Sequence, residues 1–142
     1  MTRRLLVLEG KGTLYGVDTD AVREVVPSRA TTRIPGAPPF VRGLLNLRGA
    51  LVTVVDLAQR LGGEPAAAME SSVAVVQGSG GRLLGLLVDD VHEVQEVGAG
   101  ELSPPPAPAR PGEHAIISGL GQFGDRIVLL IDVEELVRQT LA

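Results

Sequence analysis

The chain repeats itself, and the repeat limits what it can fold into more than any other feature. Leu14 to Val25 lies without gaps over Leu83 to Val94, with Gly16 on Gly85, Asp20 on Asp89, Glu24 on Glu93 and Val25 on Val94. A second block, Val41 to Leu61, lies over Ile117 to Val137, with Gly43 on Gly119, Leu44 on Leu120, Val52 on Val128 and Asp56 on Asp132. Repetition of this kind signals two copies of one supersecondary unit. The second spacing is longer than the first, and the extra residues fall around Ser103-Pro104-Pro105-Pro106-Ala107-Pro108. Proline cannot donate to a sheet ladder and holds its neighbours extended, so the stretch from Ser103 to Pro111 is expected to be a surface connection. A chain of 142 residues has the length of one domain. Residues 1–142 therefore read as a single domain whose halves meet at about residue 69 or 70. A unit of about 70 residues buries only a little over half of its unfolded surface, so the halves are expected to share a core or exchange strands. Which strand belongs to which unit stays open.

Each unit reads as β. Ser72 to Val76, then Gly78-Ser79-Gly80-Gly81, then Arg82 to Val88 is two apolar strands joined by a glycine turn, and the first-half counterpart turns at Gly10-Lys11-Gly12. Gly43 to Leu47 and Ala50 to Val55 flank Arg48-Gly49, while Ile116 to Gly119 and Arg126 to Ile131 flank what reads as a longer turn. Short strands at this density predict a mainly β fold of two small barrels. The helices are short and close each half. Asp132 stands where a carboxylate caps a helix whose Val133, Leu136, Val137 and Leu141 share a face, and Asp56 starts its counterpart, ended by Gly62-Gly63.

Composition removes whole classes of function. Lys and Arg total 13 against 17 Asp and Glu, a net charge of -4, and no basic cluster stands clear of acidic neighbours, which argues against a nucleic-acid backbone as partner. Tyr15, Phe40 and Phe123 are the only aromatics, too few for a base-stacking platform. The chain has no cysteine, so disulfide frameworks, thiolate nucleophiles and cysteine-based zinc sites are all excluded. The apolar run Leu5 to Leu8 is stopped by Glu9-Gly10-Lys11, far too short for a signal peptide or a membrane span. A cytoplasmic protein is the expectation.

Sites of chemistry are few. Gly119-Leu120-Gly121-Gln122-Phe123-Gly124 satisfies the GxGxxG pattern, but a strand pattern follows it where a pyrophosphate site needs a helix N-terminus, so it is read as a hairpin turn. Gly78-Ser79-Gly80-Gly81 lacks the Lys and Ser/Thr of a phosphate loop. His92 and His114 stand far apart, without a partner at metal-ligand spacing. Asp56 and Asp132 recur at equivalent positions and are read as helix caps rather than a carboxylate pair. No catalytic, cofactor or metal site is expected.

Asn46-Leu47-Arg48-Gly49 is more informative, because its partner in the other half is Gln122-Phe123-Gly124-Asp125 and the polar pattern is lost there. One reading is a solvated turn whose arginine pairs with a nearby carboxylate. The other is an arginine that forks onto a partner's carboxylate or backbone. Physics alone leaves both open.

The run from Arg33 to Leu57, RIPGAPPFVRGLLNLRGALVTVVDL, resembles the signature of CheW-like domains, the bacterial chemotaxis coupling proteins. Tyr15-Gly16-Val17, Val22 to Val25, Val88 to Val91, Ser118 to Gly121 and Leu130 to Leu136 follow the family's pattern in order, so the resemblance covers nearly the whole chain. It implies two SH3-like five-stranded β-barrel subdomains and no catalytic activity or cofactor. It also implies an adaptor joining methyl-accepting chemotaxis receptors to the regulatory domain of the histidine kinase CheA. Such a protein is recruited to membrane arrays through its partners, without inserting in the membrane itself, and self-association in arrays is a further expectation. The motif positions carried over to the receptor groove are Val22, Glu24, Gly43, Asn46 and Arg48. Val22 would offer apolar area to a receptor helical hairpin, Gly43 a close backbone approach, Asn46 a hydrogen bond and Arg48 a forked charge contact, with Glu24 orienting Arg48. The competing functions are an adaptor for a pathway governing pili, development or second messengers, and, from another class, a small ligand-binding barrel or enzyme.

Overall fold

The computed structural model describes residues 2–27, 31–65, 71–105 and 116–141. Among these residues eleven strands and two α-helices follow in order: β1 (Thr2–Gly10), β2 (Thr13–Asp18), β3 (Val22–Pro27), β4 (Val41–Leu47), β5 (Ala50–Asp56), α1 (Leu57–Arg60), β6 (Ser72–Gln77), β7 (Leu83–Val88), β8 (Asp90–Gly98), β9 (Leu102–Ser103), β10 (Ile117–Phe123), β11 (Arg126–Ile131) and α2 (Val133–Leu141). Hairpin chemistry sets the local connections. Lys11 and Gly12, and likewise Arg48 and Gly49, have positive φ, the backbone of the two-residue turn whose twist matches that of the flanking strands.

Neither half keeps its strands to itself. One sheet runs β8-β1-β2-β11-β10-β9 and the other β3-β6-β7-β5-β4, so the first hairpin of each half sits in the sheet completed by the later strands of the other. The exchange obeys the repeat. β5 lies parallel to β7 with Val54 opposite Gly85, and β11 lies parallel to β2 with Leu130 opposite the equivalent Gly16. Both glycines are required by close packing: a Cβ on Gly85 would stand 2.9 Å from Val73 Cγ1, and one on Gly16 would stand 3.1 Å from Val128 Cγ1. The long central turn expected between Gly119 and Arg126 is not there. β10 continues to Phe123, so most of the GxGxxG run is strand and only its end turns. Gly121 is accommodated because the Phe123 ring lies over it, 2.8 Å from where a Cβ would be. One sheet has six strands rather than five because Ser103, expected in the connection, pairs with Leu120 in β9. The prolines from 106 onward, and His114, lie outside the described residues.

The core has three parts. Leu8, Tyr15 and Val17 from one sheet, Val55, Ala74, Val76, Leu84 and Leu86 from the other, and Val133, Leu136 and Val137 of α2 bury one another between the sheets. Val26, Leu45, Leu47, Val52, Val54, Val73, Val75 and Leu87 fill the curl of the five-stranded sheet. A smaller group, Leu5, Val97 and Leu130 with Leu102 and Phe123 against it, fills the other. Apolar alternation within each strand supplies both the barrel interiors and the shared layer. The two carboxylates cap helices as expected: Gln59 N–H donates to Asp56 Oδ1 at 3.0 Å, and Glu135 N–H donates to Asp132 Oδ1 at 3.1 Å.

Candidate functional site

The five-stranded sheet has β3 at one edge and β4 at the other. Arg48, in the turn after β4, reaches Glu24 on β3: Nη2 donates to Glu24 Oε2 at 2.9 Å and also to Oε1. The pair thus joins opposite edges of one sheet and closes its curl. The arginine side chain is 77% exposed and the glutamate 21%, so Glu24 anchors a guanidinium whose remaining donors face solvent. Arg48 is lifted there by its own backbone, held at φ 52 beside Gly49 at φ 89. Asn46 braces the same turn, its Oδ1 accepting the Gly49 N–H at 2.9 Å. An Asx contact of this type steadies a hairpin without using the side-chain amide hydrogens, and those stay available at an exposed position.

Val22 and Gly43 stand further along β3 and β4. Val22 is half-buried against the central core, opposite Val76, and the β3–β6 register slips between Val22 and Glu24, a bulge that re-aims the strand. Gly43 is buried at a matching slip in β4–β5, with φ 136. A Cβ there would fall 2.3 Å from Thr32 O, and Thr32 and Leu44 exchange backbone hydrogen bonds of 3.0 and 2.8 Å. The backbone that approaches Gly43 is therefore the chain's own Thr32. The fold brings Glu24, Asn46 and Arg48 to one end of the sheet, with Val22 and Gly43 shaping the two strands that carry them.

A second ion pair was not visible in the sequence. Glu93, the repeat equivalent of Glu24, receives Arg126 Nη1 at 2.9 Å. Its own backbone N–H first, and Arg126 next, hold the Glu93 carboxyl below the usual carboxylate range. The coincidence of Glu24 with Glu93 was the available signal. The arginine was hidden because Arg48 aligns with Gly124, and its counterpart stands across the turn. The duplication also extends to exposed apolar side chains, with Leu51 at 68% and the equivalent Ile127 at 58% exposure.

Other polar groups serve the scaffold. His92 Nε2 lies 2.8 Å from Glu9 Oε1, and no cluster of metal-ligating residues occurs among the described residues. Among the same residues, no helix is long and apolar enough to cross a membrane.

The CheW-like domain family model matches residues 4–141. The chain is 33% identical over 123 residues to the chemotaxis protein CheW of Klebsiella aerogenes, covering 87% of this chain and 74% of that protein. It is 31% identical over 132 residues to the chemotaxis protein CheW of Rhizobium meliloti, covering 93% and 85%. The crystal structure of the scaffolding protein TtCheW from Thermoanaerobacter tengcongensis superposes with a TM-score of 0.84 at 34% identity, covering 96% of this chain and 92% of that one.

Proposed function

The chain belongs to the CheW-like domain family and is by that membership a chemotaxis adaptor and scaffold, and on this premise we propose that it couples receptor tips to a histidine kinase without chemistry of its own. In this reading residues 1–142 form one domain of two SH3-like subdomains. It works in the cytoplasm and is recruited to membrane receptor arrays only through partners. Val22, Glu24, Gly43, Asn46 and Arg48 form the receptor-facing set. Arg48 presents a guanidinium fork, Glu24 holds it in place, Asn46 adds amide donors, Val22 adds apolar area and Gly43 sets the bend of β4.

The observation that carries this is the Glu24–Arg48 pair, a charged side chain pinned at a barrel edge yet 77% exposed. Holding a long side chain in one geometry has little stabilising value at the surface, whereas a pre-oriented arginine lowers the ordering cost of binding. The repeated exposure of Leu51 and Ile127 supports contacts on both subdomains, as a kinase regulatory domain of the same fold would make. Coupling then follows if the two receptor signalling states make different contacts with this set.

The test is a pull-down from native cytoplasm with wild type beside Arg48→Glu, with the captured chains identified by mass spectrometry. Wild type is expected to recover a histidine kinase and receptor signalling tips, and the variant to lose the receptors. Recovery of neither by wild type would sink the adaptor reading and favour a ligand-binding barrel.

A further inference from the structure

The repeat contains a mismatch beside a cavity. In the first half Arg42 sits at the β4 bulge, and its Nη1 lies 3.4 Å from Oδ2 of Asp56, a fully buried helix cap. In the second half the equivalent bulge falls between Ile117 and Gly119, and the residue at Arg42's place is Ser118. Asp132, equivalent to Asp56, caps α2 through Oδ1, but no ion pair among the described residues reaches it. Arg42 lines a cavity of about 310 Å³ in the first half, whereas Ser118 lines one of about 550 Å³ in the second, together with Asp18, Asp20, Ala21, Asp132 and Glu134.

The charge balance of the cavity is one-sided. Arg3 is spent on Asp18 through two bonds of 2.9 and 3.2 Å. Arg23, tied to Gln77 at the rim, forms no ion pair with the cavity carboxylates. Glu134 accepts the Ser79 N–H and hydroxyl, both neutral donors that leave its charge in place. Asp20, Asp132 and Glu134 thus share one space with a single lining cation, Arg3, which Asp18 already holds. The cavity also adjoins the proposed receptor-facing strand, since Ala21 precedes Val22.

We infer that this cavity seats an arginine side chain from the receptor hairpin on Asp132, in the place that Arg42 fills on Asp56 in the other half. The inference rests on the adaptor reading for its partner, but its chemistry comes from the duplicated half, where the same cap and bulge already hold a guanidinium. A planar fork on a carboxylate is the strong form of this contact. It would set the register of the receptor helix beside Val22 and Arg48.

Two variants test it. Asp132→Asn keeps the capping oxygen and removes the charge, and Ser118→Arg supplies from within the group that the first half carries. Binding of a purified receptor signalling-tip fragment is measured by calorimetry, alongside an amide-shift titration with N-acetyl-arginine amide. Each variant is expected to weaken both ligands about tenfold or more, the scale of one charge-assisted hydrogen bond. If Ser118→Arg does not fold, Asp132→Asn carries the test. Loss of fragment binding in Arg48→Glu, with neither cavity variant changed, overturns the inference and leaves the adaptor reading standing. If the fragment does not bind wild type, the receptor reading falls, and the amide titration decides alone. Saturable shifts at Ser118 and Asp132 that vanish in the variants support an arginine site, and their absence overturns it.

Discussion

Glu93 and Arg126 make, across the second sheet, the bond that Glu24 and Arg48 make across the first, with Nη1 and Oε1 2.9 Å apart. The glutamates are repeat equivalents, whereas the arginines come from opposite sides of their hairpin turns. Two side chains of different origin thus arrive at one geometric role, the joining of each half's third strand to its last hairpin. Only the first pair stands beside the Asn46 turn, which fits its assignment to receptor contact.

Arg48→Glu is expected to abolish the Glu24 contact and set two carboxylates against each other, yet to change unfolding free energy by no more than about 1 kcal/mol, because the substituted side chain is largely solvated. Receptor capture should fall sharply. Chemical denaturation followed by circular dichroism, run beside the pull-down, separates the two effects. Collapse of folding would remove support for an interface role.

Gly43→Ala tests a different kind of position. A methyl group there meets Thr32 O at 2.3 Å in a backbone of φ 136, so either the bulge or the Thr32–Leu44 bridge must give way. A loss of about 3 kcal/mol or more is expected, read as a lower midpoint in urea. An unchanged midpoint would show that Gly43 is not a structural requirement.

Leu136→Ala removes a fully buried side chain from the layer between the sheets. The expected cost is about 2–5 kcal/mol. Since both sheets share this layer, unfolding should remain one transition. Two separated transitions would mean that the halves are held together by something other than this core.

Acid and alkali should destabilise through different residues. Arg138, with Gln139 adding to it, holds the Glu135 carboxyl low, the Ser79 hydroxyl and N–H do the same for Glu134, and Glu93 is lowered as described. Each folded-state value lies below the ordinary 4.5. Their contribution is therefore present above that pH and lost as pH falls through the folded values. Glu93→Gln with Glu135→Gln should flatten the acid limb of a plot of unfolding midpoint against pH.

Burial raises the Tyr15 hydroxyl above its ordinary 10.0, opposed by Thr13 and aided by the Asp56 charge. A raised folded value stabilises fully below the unfolded value and is lost as pH climbs towards the folded one. Stability should therefore drop above pH 10. Tyrosinate absorbance should rise together with unfolding rather than before it, and Tyr15→Phe should remove that part of the loss.

What the sequence by itself determined is local or periodic. The repeat of Gly16 on Gly85 and Gly43 on Gly119, the turns at Lys11-Gly12 and Arg48-Gly49, and the caps at Asp56 and Asp132 each depend on neighbours a few residues away, so spacing and residue type sufficed. Family membership was legible for the same reason, as motifs in order. The end of β10 at Phe123 was not, because glycines that read as a turn are spaces for the Phe123 ring and for the Ser103 backbone. Tertiary structure alone decided which hairpin joins which sheet, since parallel pairing of β5 with β7 and β11 with β2 depends on contacts far apart in the chain. It alone brought Glu24 to Arg48, Glu93 to Arg126, and the Asp132 carboxylate to a space that its own half leaves without an arginine. Charges and close approaches across a closed sheet follow from its curvature, and curvature is set by the packed whole rather than by any run of residues.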